Sequence, residues 1–180
     1  MRSQNVLAYD PEFGSFVTND RLPLIQLRER RRELVLSLQS DGAVTRDRIR
    51  EIAEIQQAIK AIEANRNRPF LLYLAFYAPH TPLQATKADY DALAHITNHR
   101  ERVYAAMIRS LDRGVGRVLE ALEANGLEEN TLVLFTSDNG GAGYIGLPEV
   151  NSPFRGWKIT LFEGGIHVPY FAKWPARIAP

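Results

Sequence analysis

The chain has 180 residues, of which 45% are hydrophobic, and it carries a formal net charge of +1. This composition is typical of a globular protein with a buried core, and so small a net charge gives no electrostatic reason to expect nucleic acid or an anionic membrane as a partner. The absence of cysteine excludes disulfides, thiolate metal ligands and a cysteine nucleophile within this sequence, and no apolar run approaches the ~18 residues of a membrane span.

Residues 1–65 are predicted to form an irregular N-terminus followed by an amphipathic helical hairpin. The N-terminal residues do not show the pattern of a signal peptide. Leucines at helical spacing predict one helix over residues 24–38, and isoleucines three and four positions apart predict a second over residues 49–62. Thr45 is a suitable N-cap for the second helix. The short turn between the two helices predicts the hairpin.

Residues 66–180 show an α/β pattern. The run 70–77 is apolar at nearly every position, which predicts a central strand that is buried on both faces. Apolar residues over 103–122 predict a long helix that ends at Asn125-Gly126, and the run 132–135 predicts a second strand. A strand, a long helix and a strand imply a right-handed parallel crossover. The predicted fold is therefore α/β, with a partial mixed, mainly parallel sheet flanked by helices.

Candidate site residues lie at the carboxyl ends of these two strands, which ligands favour in parallel sheets. His80 follows the first strand, and Asp138-Asn139 follows the second. A carboxylate beside an amide carbonyl offers two hard oxygens, which suit Ca²⁺ or Mg²⁺ better than zinc. An imidazole at the first strand end can exchange a proton near neutral pH. The alternatives are a plain Asx turn at Asp138 and a histidine that is only hydrogen-bonded at a strand end.

The stretch after Asp138 is rich in glycine and proline, and it precedes a third strand predicted within residues 166–175. Proline interrupts that strand, which places it at or near a sheet edge. Loops as long as this one are often functional. Lys158 lies in the loop between Trp157 and Ile159, where an ammonium could bind an anionic group. The alternative is an ordinary surface lysine.

Other residues that suggest chemistry are interpreted more simply. His95 and His99 have the spacing of a metal pair, but no third ligand is evident, so they are predicted to be surface histidines. His167 lies in a strand pattern and is predicted to be structural. Gly140–Gly143 lacks the lysine and the following helix of a phosphate-binding loop.

Several blocks, in this order and at this spacing, resemble the sulfatase family within the alkaline phosphatase superfamily. The blocks are Arg68–Leu74, Ala78–Pro82, Thr136–Gly141, Phe154–Lys158 and Phe162–Pro169, with the helix over Tyr104–Asp112. Together they cover about residues 66–177. One block alone would be a weak signal, but several ordered blocks are specific.

The resemblance implies a sulfuric ester hydrolase that acts on a small-molecule or glycan sulfate ester. It implies that Asp138 and Asn139 are two ligands of a single Ca²⁺ that binds the sulfate oxygens. It also implies that His80 contacts the ester oxygen and assists the leaving group, and that Lys158 binds the sulfate. A divalent ion and a lysine would neutralise the charge that builds on the sulfuryl oxygens. Asn139 stands where two-metal phosphatases tend to carry histidine, which favours sulfate esters.

Two parts of the family pattern have no counterpart. The family's nucleophile is a cysteine or serine in a Cys/Ser-x-Pro-x-Arg motif, oxidised to formylglycine, whereas Ser152–Arg155 has a different spacing. The family's paired metal-binding aspartates near the N-terminus are also missing. We therefore expect a central to C-terminal piece of a sulfatase that has no turnover alone, its formylglycine lying upstream. A full-length relative would be periplasmic or secreted.

Two alternatives stay open at this stage. One is a phosphonate or phosphate monoester hydrolase of the same superfamily, and the other is a non-catalytic remnant or binding module, which the missing nucleophile favours. The oligomeric state does not follow from the sequence.

Overall fold

The computed structural model describes residues 8–10, 15–17 and 46–179. The helices are α1 (Arg46–Ala64), α2 (Lys87–Asp91), α3 (His99–Ala124) and α4 (Glu163–Ile166). The strands are β1 (Ala8–Asp10), β2 (Ser15–Val17), β3 (Tyr73–Leu74), β4 (Val133–Thr136) and β5 (Tyr170–Lys173). The predicted α/β class is confirmed. None of the helices in this part of the chain is both long and apolar enough to cross a membrane.

Apolar spacing predicted α1 and α3 correctly. Along α1 the buried side chains include Ile55, Ala58 and Ile62, at helical intervals of three and four residues. α3 ends at Ala124, and Gly126 just beyond it has a φ of +67°. This left-handed conformation suits glycine and ends helices, as the sequence predicted. The helix predicted over residues 24–38, its hairpin with α1 and the Thr45 cap lie outside the described residues.

The described strand pairs are antiparallel, which corrects the prediction of a mainly parallel sheet. β3 pairs with β2, and β2 with β1, whereas β4 pairs with β5. The runs 70–77 and 132–135 therefore belong to different sheets and are not parallel neighbours. An apolar run carries no information about strand direction. The long loop between β4 and β5 gives the chain room to reverse.

The prediction that the run 70–77 is buried on both faces is also wrong for this chain, and the strand after residue 132 is buried only in part. β3 is only two residues long, and Leu71 before it is 66% exposed. Leu134 in β4 is 53% exposed, whereas its neighbours Val133 and Phe135 are partly covered. One face of the β4–β5 ribbon thus carries exposed apolar side chains. The prediction that the third strand is an edge strand holds for the described residues, since β5 pairs with β4 alone.

The chain divides into two compact units. The first comprises Met1–His80 with Met107–Asn125, and the second comprises Thr81–Ala106 with Gly126–Pro180. In the first unit, Gly114 of α3 lies so close to α1 that a Cβ there would be 2.8 Å from Ile55 Cδ1. The domain boundary predicted at residue 66 stays a prediction.

Candidate functional site

The acid–amide pair, Asp138 and Asn139, lies in a tight turn directly after β4. The Asn139 side-chain amide donates a hydrogen bond to Asp138 Oδ2 at 2.7 Å. The Ser137 hydroxyl donates to the Asn139 carbonyl at 2.8 Å. The first bond orients the two side chains toward each other, and the second closes the turn that carries them. The hydrogen-bonded turn itself agrees with the plainer alternative, since Asp and Asn form such turns without a ligand.

The chemistry of the pair fits a hard divalent cation in part. Ca²⁺ takes about six to eight oxygen ligands, typically from carboxylates, amide carbonyls and water. Asp138 is exposed and Asn139 is partly exposed, so both can reach an ion. Within residues 52–179, however, no group of three or more His, Cys, Asp or Glu side chains is arranged to hold a metal. The pair therefore offers part of a coordination sphere.

Lys158 lies in the same compact unit as the acid–amide pair and is tied to the loop that follows it. Its backbone N–H donates to the Gly141 carbonyl at 3.2 Å, two residues beyond Asn139. Its ammonium donates to the Tyr144 hydroxyl at 2.7 Å and lies 4.8 Å from the centre of that ring. The loop that carries the predicted anion-binding lysine is thus fastened to the loop that carries the predicted cation ligands.

The hydroxyl of Tyr144 belongs to this site, although the sequence did not single it out. The hydrogen bond from Lys158 lowers the pKa of Tyr144 below its usual value. Desolvation opposes this effect, and a hydrogen bond with the Thr81 side chain and the charge of Lys158 add smaller contributions that also lower the pKa. A shifted phenol in contact with a lysine is a feature of functional sites as well as of structural pairs.

Asn151 is a second residue that sequence reasoning missed. Its side-chain carbonyl accepts from the Gly141 N–H at 2.7 Å, and its amide donates to the Gly141 carbonyl at 2.9 Å. The same amide also donates to the Gly156 carbonyl at 3.3 Å. Asn151 therefore holds the loop after the acid–amide pair to the loop before Lys158. No periodicity or motif marks an asparagine that acts through its backbone partners.

Backbone segments approach closely around this site, and glycines permit the approach. A Cβ at Gly140 would lie 1.9 Å from the Gly164 carbonyl oxygen, and one at Gly165 would lie 2.0 Å from the Thr160 oxygen. The Gly140 N–H donates to the Gly165 carbonyl at 2.9 Å. These glycines therefore serve the conformation of the backbone, since a side chain at either position would collide with it.

His80 ends the first compact unit. Its backbone N–H donates to the Tyr77 carbonyl at 2.9 Å, and its exposed ring lies 5.3 Å from the Tyr77 ring. The acid–amide pair and Lys158 belong to the second unit. The convergence of the imidazole with those groups therefore stays a prediction.

The other histidines have structural surroundings. His99 shares a hydrogen bond of 2.8 Å with the Tyr90 hydroxyl, and both His95 and His99 are exposed, as expected of surface histidines. His167 lies just after α4 and not in a strand, and its ring stacks on Phe154 with 4.3 Å between centres. That contact agrees with the structural role predicted for His167.

The chain matches known proteins across most of its length. The profile of the family described as Sulfatase matches residues 37–180. "Uncharacterized sulfatase YdeN" of Escherichia coli K12 is 39% identical over 115 residues, covering 63% of this chain and 20% of that protein. Human "N-acetylgalactosamine-6-sulfatase" is 39% identical over 128 residues, covering 69% of this chain and 23% of that protein. The chain thus spans about a fifth of the length of these relatives.

Two solved structures share the fold of the matched region. "Crystal structure of Ps i-CgsB" has 39% identity and a TM-score of 0.67, covering 71% of this chain and 28% of that one. The same protein "in complex with k-i-k-neocarrahexaose" has 32% identity and a TM-score of 0.65, covering 82% and 36%. The chain therefore shares its fold with 28% of the first solved chain and 36% of the second.

Proposed function

Because the chain belongs to the sulfatase family, we propose that it contributes part of the active site of a sulfuric ester hydrolase. One contact carries this proposal: the Lys158 N–H donates to the Gly141 carbonyl at 3.2 Å, which fastens the lysine loop to the loop of the acid–amide pair. An ammonium and two hard oxygen donors in one compact unit suit an anion that is bound together with a cation.

Lys158 would bind the sulfate group through its ammonium. Its position is held at two points, by the backbone bond to Gly141 and by the side-chain bond to Tyr144 at 2.7 Å. A fixed ammonium stabilises negative charge on the sulfuryl oxygens better than a mobile one, because it needs no reorganisation when that charge develops.

Asp138 and Asn139 would provide two oxygen ligands to a Ca²⁺ ion. When bound, the ion would polarise the sulfate oxygens and balance their charge. The hydrogen bond between the two side chains leaves the second carboxylate oxygen of Asp138 and the amide oxygen of Asn139 as the ligand atoms that best suit this role. Residues 52–179 contain no group of three or more His, Cys, Asp or Glu side chains that could hold a metal, so the remaining ligands would come from elsewhere.

His80 would protonate the ester oxygen as the bond between sulfur and oxygen breaks. Its ring is exposed at the end of a turn, and the backbone bond from His80 N–H to the Tyr77 carbonyl fixes the turn. An imidazole titrates near neutral pH and therefore suits proton transfer to a leaving alcohol.

The nucleophile would come from a segment other than these 180 residues. The sequence has no cysteine and no Ser-x-Pro-x-Arg motif, and the family resemblance implies a formylglycine at that position. We therefore expect the chain to have no sulfatase turnover by itself.

The substrate would be a sulfated glycan or a small-molecule sulfate ester. Relatives carry names such as "N-acetylgalactosamine-6-sulfatase", and a structural neighbour was solved with k-i-k-neocarrahexaose. Both point to sulfated sugars as a substrate class to test first.

The experiment extends the chain by its upstream reading frame and compares the hydrolysis of an aryl sulfate with that of the matching aryl phosphate. Faster sulfate turnover is expected, and Lys158→Ala should lower kcat by about 10²–10³-fold, as the loss of one oxyanion contact does. Lys87, an exposed lysine paired with Asp91, is the matched control, and Lys87→Ala should retain activity.

Faster phosphate turnover would contradict the sulfatase proposal and favour the phosphate monoesterase alternative. An in-frame stop or an unrelated domain upstream would favour a non-catalytic remnant. Activity of the 180-residue chain alone that Lys158→Ala abolishes would show that the nucleophile lies within it.

A further inference from the structure

Tyr144 is held in place although its side chain is exposed. It is the middle residue of the 3₁₀ turn Gly143–Ile145. Ile145 is only 7% exposed and anchors the turn, whereas Tyr144 is 55% exposed. The Trp157 ring meets the Tyr144 ring edge to face, with 6.0 Å between centres and 86° between planes. An exposed phenol on an anchored turn can present its hydroxyl at a defined point.

Two polar side chains meet at that hydroxyl. The Lys158 ammonium donates to it at 2.7 Å, and the Thr81 side chain shares a hydrogen bond with it. An ammonium has three protons, so the bond to Tyr144 uses one and leaves two donors that can turn toward a ligand. A lysine side chain loses considerable rotamer freedom when it is fixed. A partner that fixes it beforehand lowers the entropic cost of binding an anion.

We propose that Tyr144 is a positioning residue that holds the Lys158 ammonium in place as a receptor for a sulfate oxyanion. This inference rests on the proposed function and deepens it. It explains how the anion-binding ammonium is kept in position, namely by a tyrosine on a neighbouring turn. Thr81 supports the same hydroxyl from the segment that follows His80 in the chain. Tyr144 itself neither donates nor accepts a proton in the reaction.

Inorganic sulfate tests the proposal in the full 180-residue chain, with Ca²⁺ in the buffer. Binding is followed by NMR of the lysine Cε resonances, which report Lys158 directly when compared with Lys158→Met. Tyr144→Phe should weaken sulfate binding about three- to tenfold, the range expected for the loss of one hydrogen bond. Tyr170, which is 63% exposed on β5, is the matched control, and Tyr170→Phe should bind as the wild type does.

A second measurement compares the titration of the wild type with that of Tyr144→Phe. The hydrogen bond from Lys158 and, to a smaller extent, the charge of Lys158 lower the pKa of Tyr144. Sulfate bound at that ammonium offsets the charge and competes for its protons, so saturating sulfate should raise the pKa of the phenol. The difference in ultraviolet titration between wild type and Tyr144→Phe isolates this group from the other tyrosines. This readout decides the matter even where Tyr144→Phe lowers the melting temperature.

Equal sulfate affinity in wild type and Tyr144→Phe, with binding still lost in Lys158→Met, would overturn the positioning role and leave the proposed function standing. An unchanged Tyr144 titration at saturating sulfate would overturn it as well. Failure of the wild type to bind sulfate at all would overturn the inference that Lys158 is an anion receptor in this chain, whereas the proposed function is tested separately by the turnover of the extended chain.

Discussion

Gly140 stands where a methyl group has no room. A Cβ there would lie 1.9 Å from the Gly164 carbonyl oxygen, and that oxygen belongs to backbone that cannot rotate away. Gly140→Ala must therefore displace the loop next to the acid–amide pair. We expect a loss of about 1–3 kcal/mol in the free energy of unfolding, as for other overpacked positions, measured by denaturant titration.

Gly116 is the matched control, because a Cβ there would meet no atom within 4 Å. It lies inside α3, where alanine loses less backbone freedom than glycine on folding. Gly116→Ala should stabilise the protein by about 0.5–1 kcal/mol. If Gly140→Ala were as stable as the wild type, the close approach of the two loops would be refuted.

Tyr104 and Tyr144 should change the free energy of unfolding in opposite directions as pH rises through the alkaline range. Burial raises the pKa of Tyr104, so its contribution is complete below the ordinary phenol pKa of about 10 and is lost as pH rises through the raised value. The hydrogen bond from Lys158 lowers the pKa of Tyr144. The contribution of Tyr144 to the free energy of unfolding is complete above about pH 10, and it is lost as pH falls through the lowered pKa of this phenol.

Denaturant titrations between about pH 9 and 11.5, across the phenol range, test this contrast. Tyr104→Phe should reduce the fall in stability at high pH, because the buried phenol no longer has to ionise. Tyr144→Phe should make the fall steeper, because a group that favours the ionised folded state is gone. If the free energy of unfolding fell with pH at the same slope in both variants, the burial of Tyr104 and the Lys158 contact of Tyr144 would be contradicted.

At the residue scale, chemistry and order in the sequence were enough to single out Asp138, Asn139 and Lys158 as candidates. Tyr144 and Asn151 could not be found in the same way. Each acts on a partner ten or more positions away inside a loop with no repeating pattern. Such contacts depend on how the loop folds back, which single residue types do not reveal.

At the element scale, helices were predictable and strand partners were not. The spacing of apolar residues in α1 and α3 identifies the buried face of each helix, and this pattern depends on the helix alone. The apolar runs around β3 and β4 do not indicate the direction of the strand or the strand with which it pairs. Their antiparallel partners, β2 and β5, lie far from them in the sequence, so the predicted crossover was wrong.

Asn98 makes the start of α3 a testable element. Its side-chain carbonyl oxygen accepts from the N–H groups of Arg100 at 3.0 Å and Glu101 at 3.1 Å, which satisfies two donors that a helix start leaves without partners. Asn98→Ala should lower the free energy of unfolding by about 1 kcal/mol. Asn98→Asp should retain the cap and gain from the helix dipole.

Thermal and denaturant unfolding of the three proteins would measure the cap. We expect Asn98→Asp to be at least as stable as the wild type, and Asn98→Ala to be clearly less stable. An alanine variant within a few tenths of a kcal/mol of the wild type, the range of ordinary surface changes, would show that the hydrogen bonds at Asn98 contribute nothing to the helix.

At the scale of the whole molecule, the chain spans about a fifth of the curated relatives it matches. Among residues 52–179, most of the exposed large apolar side chains lie in the second unit. Leu161 is 90% exposed, Ile159 is 70% exposed and Phe171 is 66% exposed. Large exposed apolar side chains such as Ile159 and Leu161, two positions apart in one loop, are candidates for contacts with other protein or for self-association.

Leu161→Ser tests whether this surface drives association. The side chain is 90% exposed, so its loss removes almost no buried contact, and stability should change by less than about 0.5 kcal/mol. The fraction of associated protein in sedimentation velocity should fall at high concentration. Ile62, which is fully buried, is the contrasting site, and Ile62→Ala should cost about 2–5 kcal/mol. A Leu161→Ser chain that associates as strongly as the wild type would show that this part of the surface does not drive association.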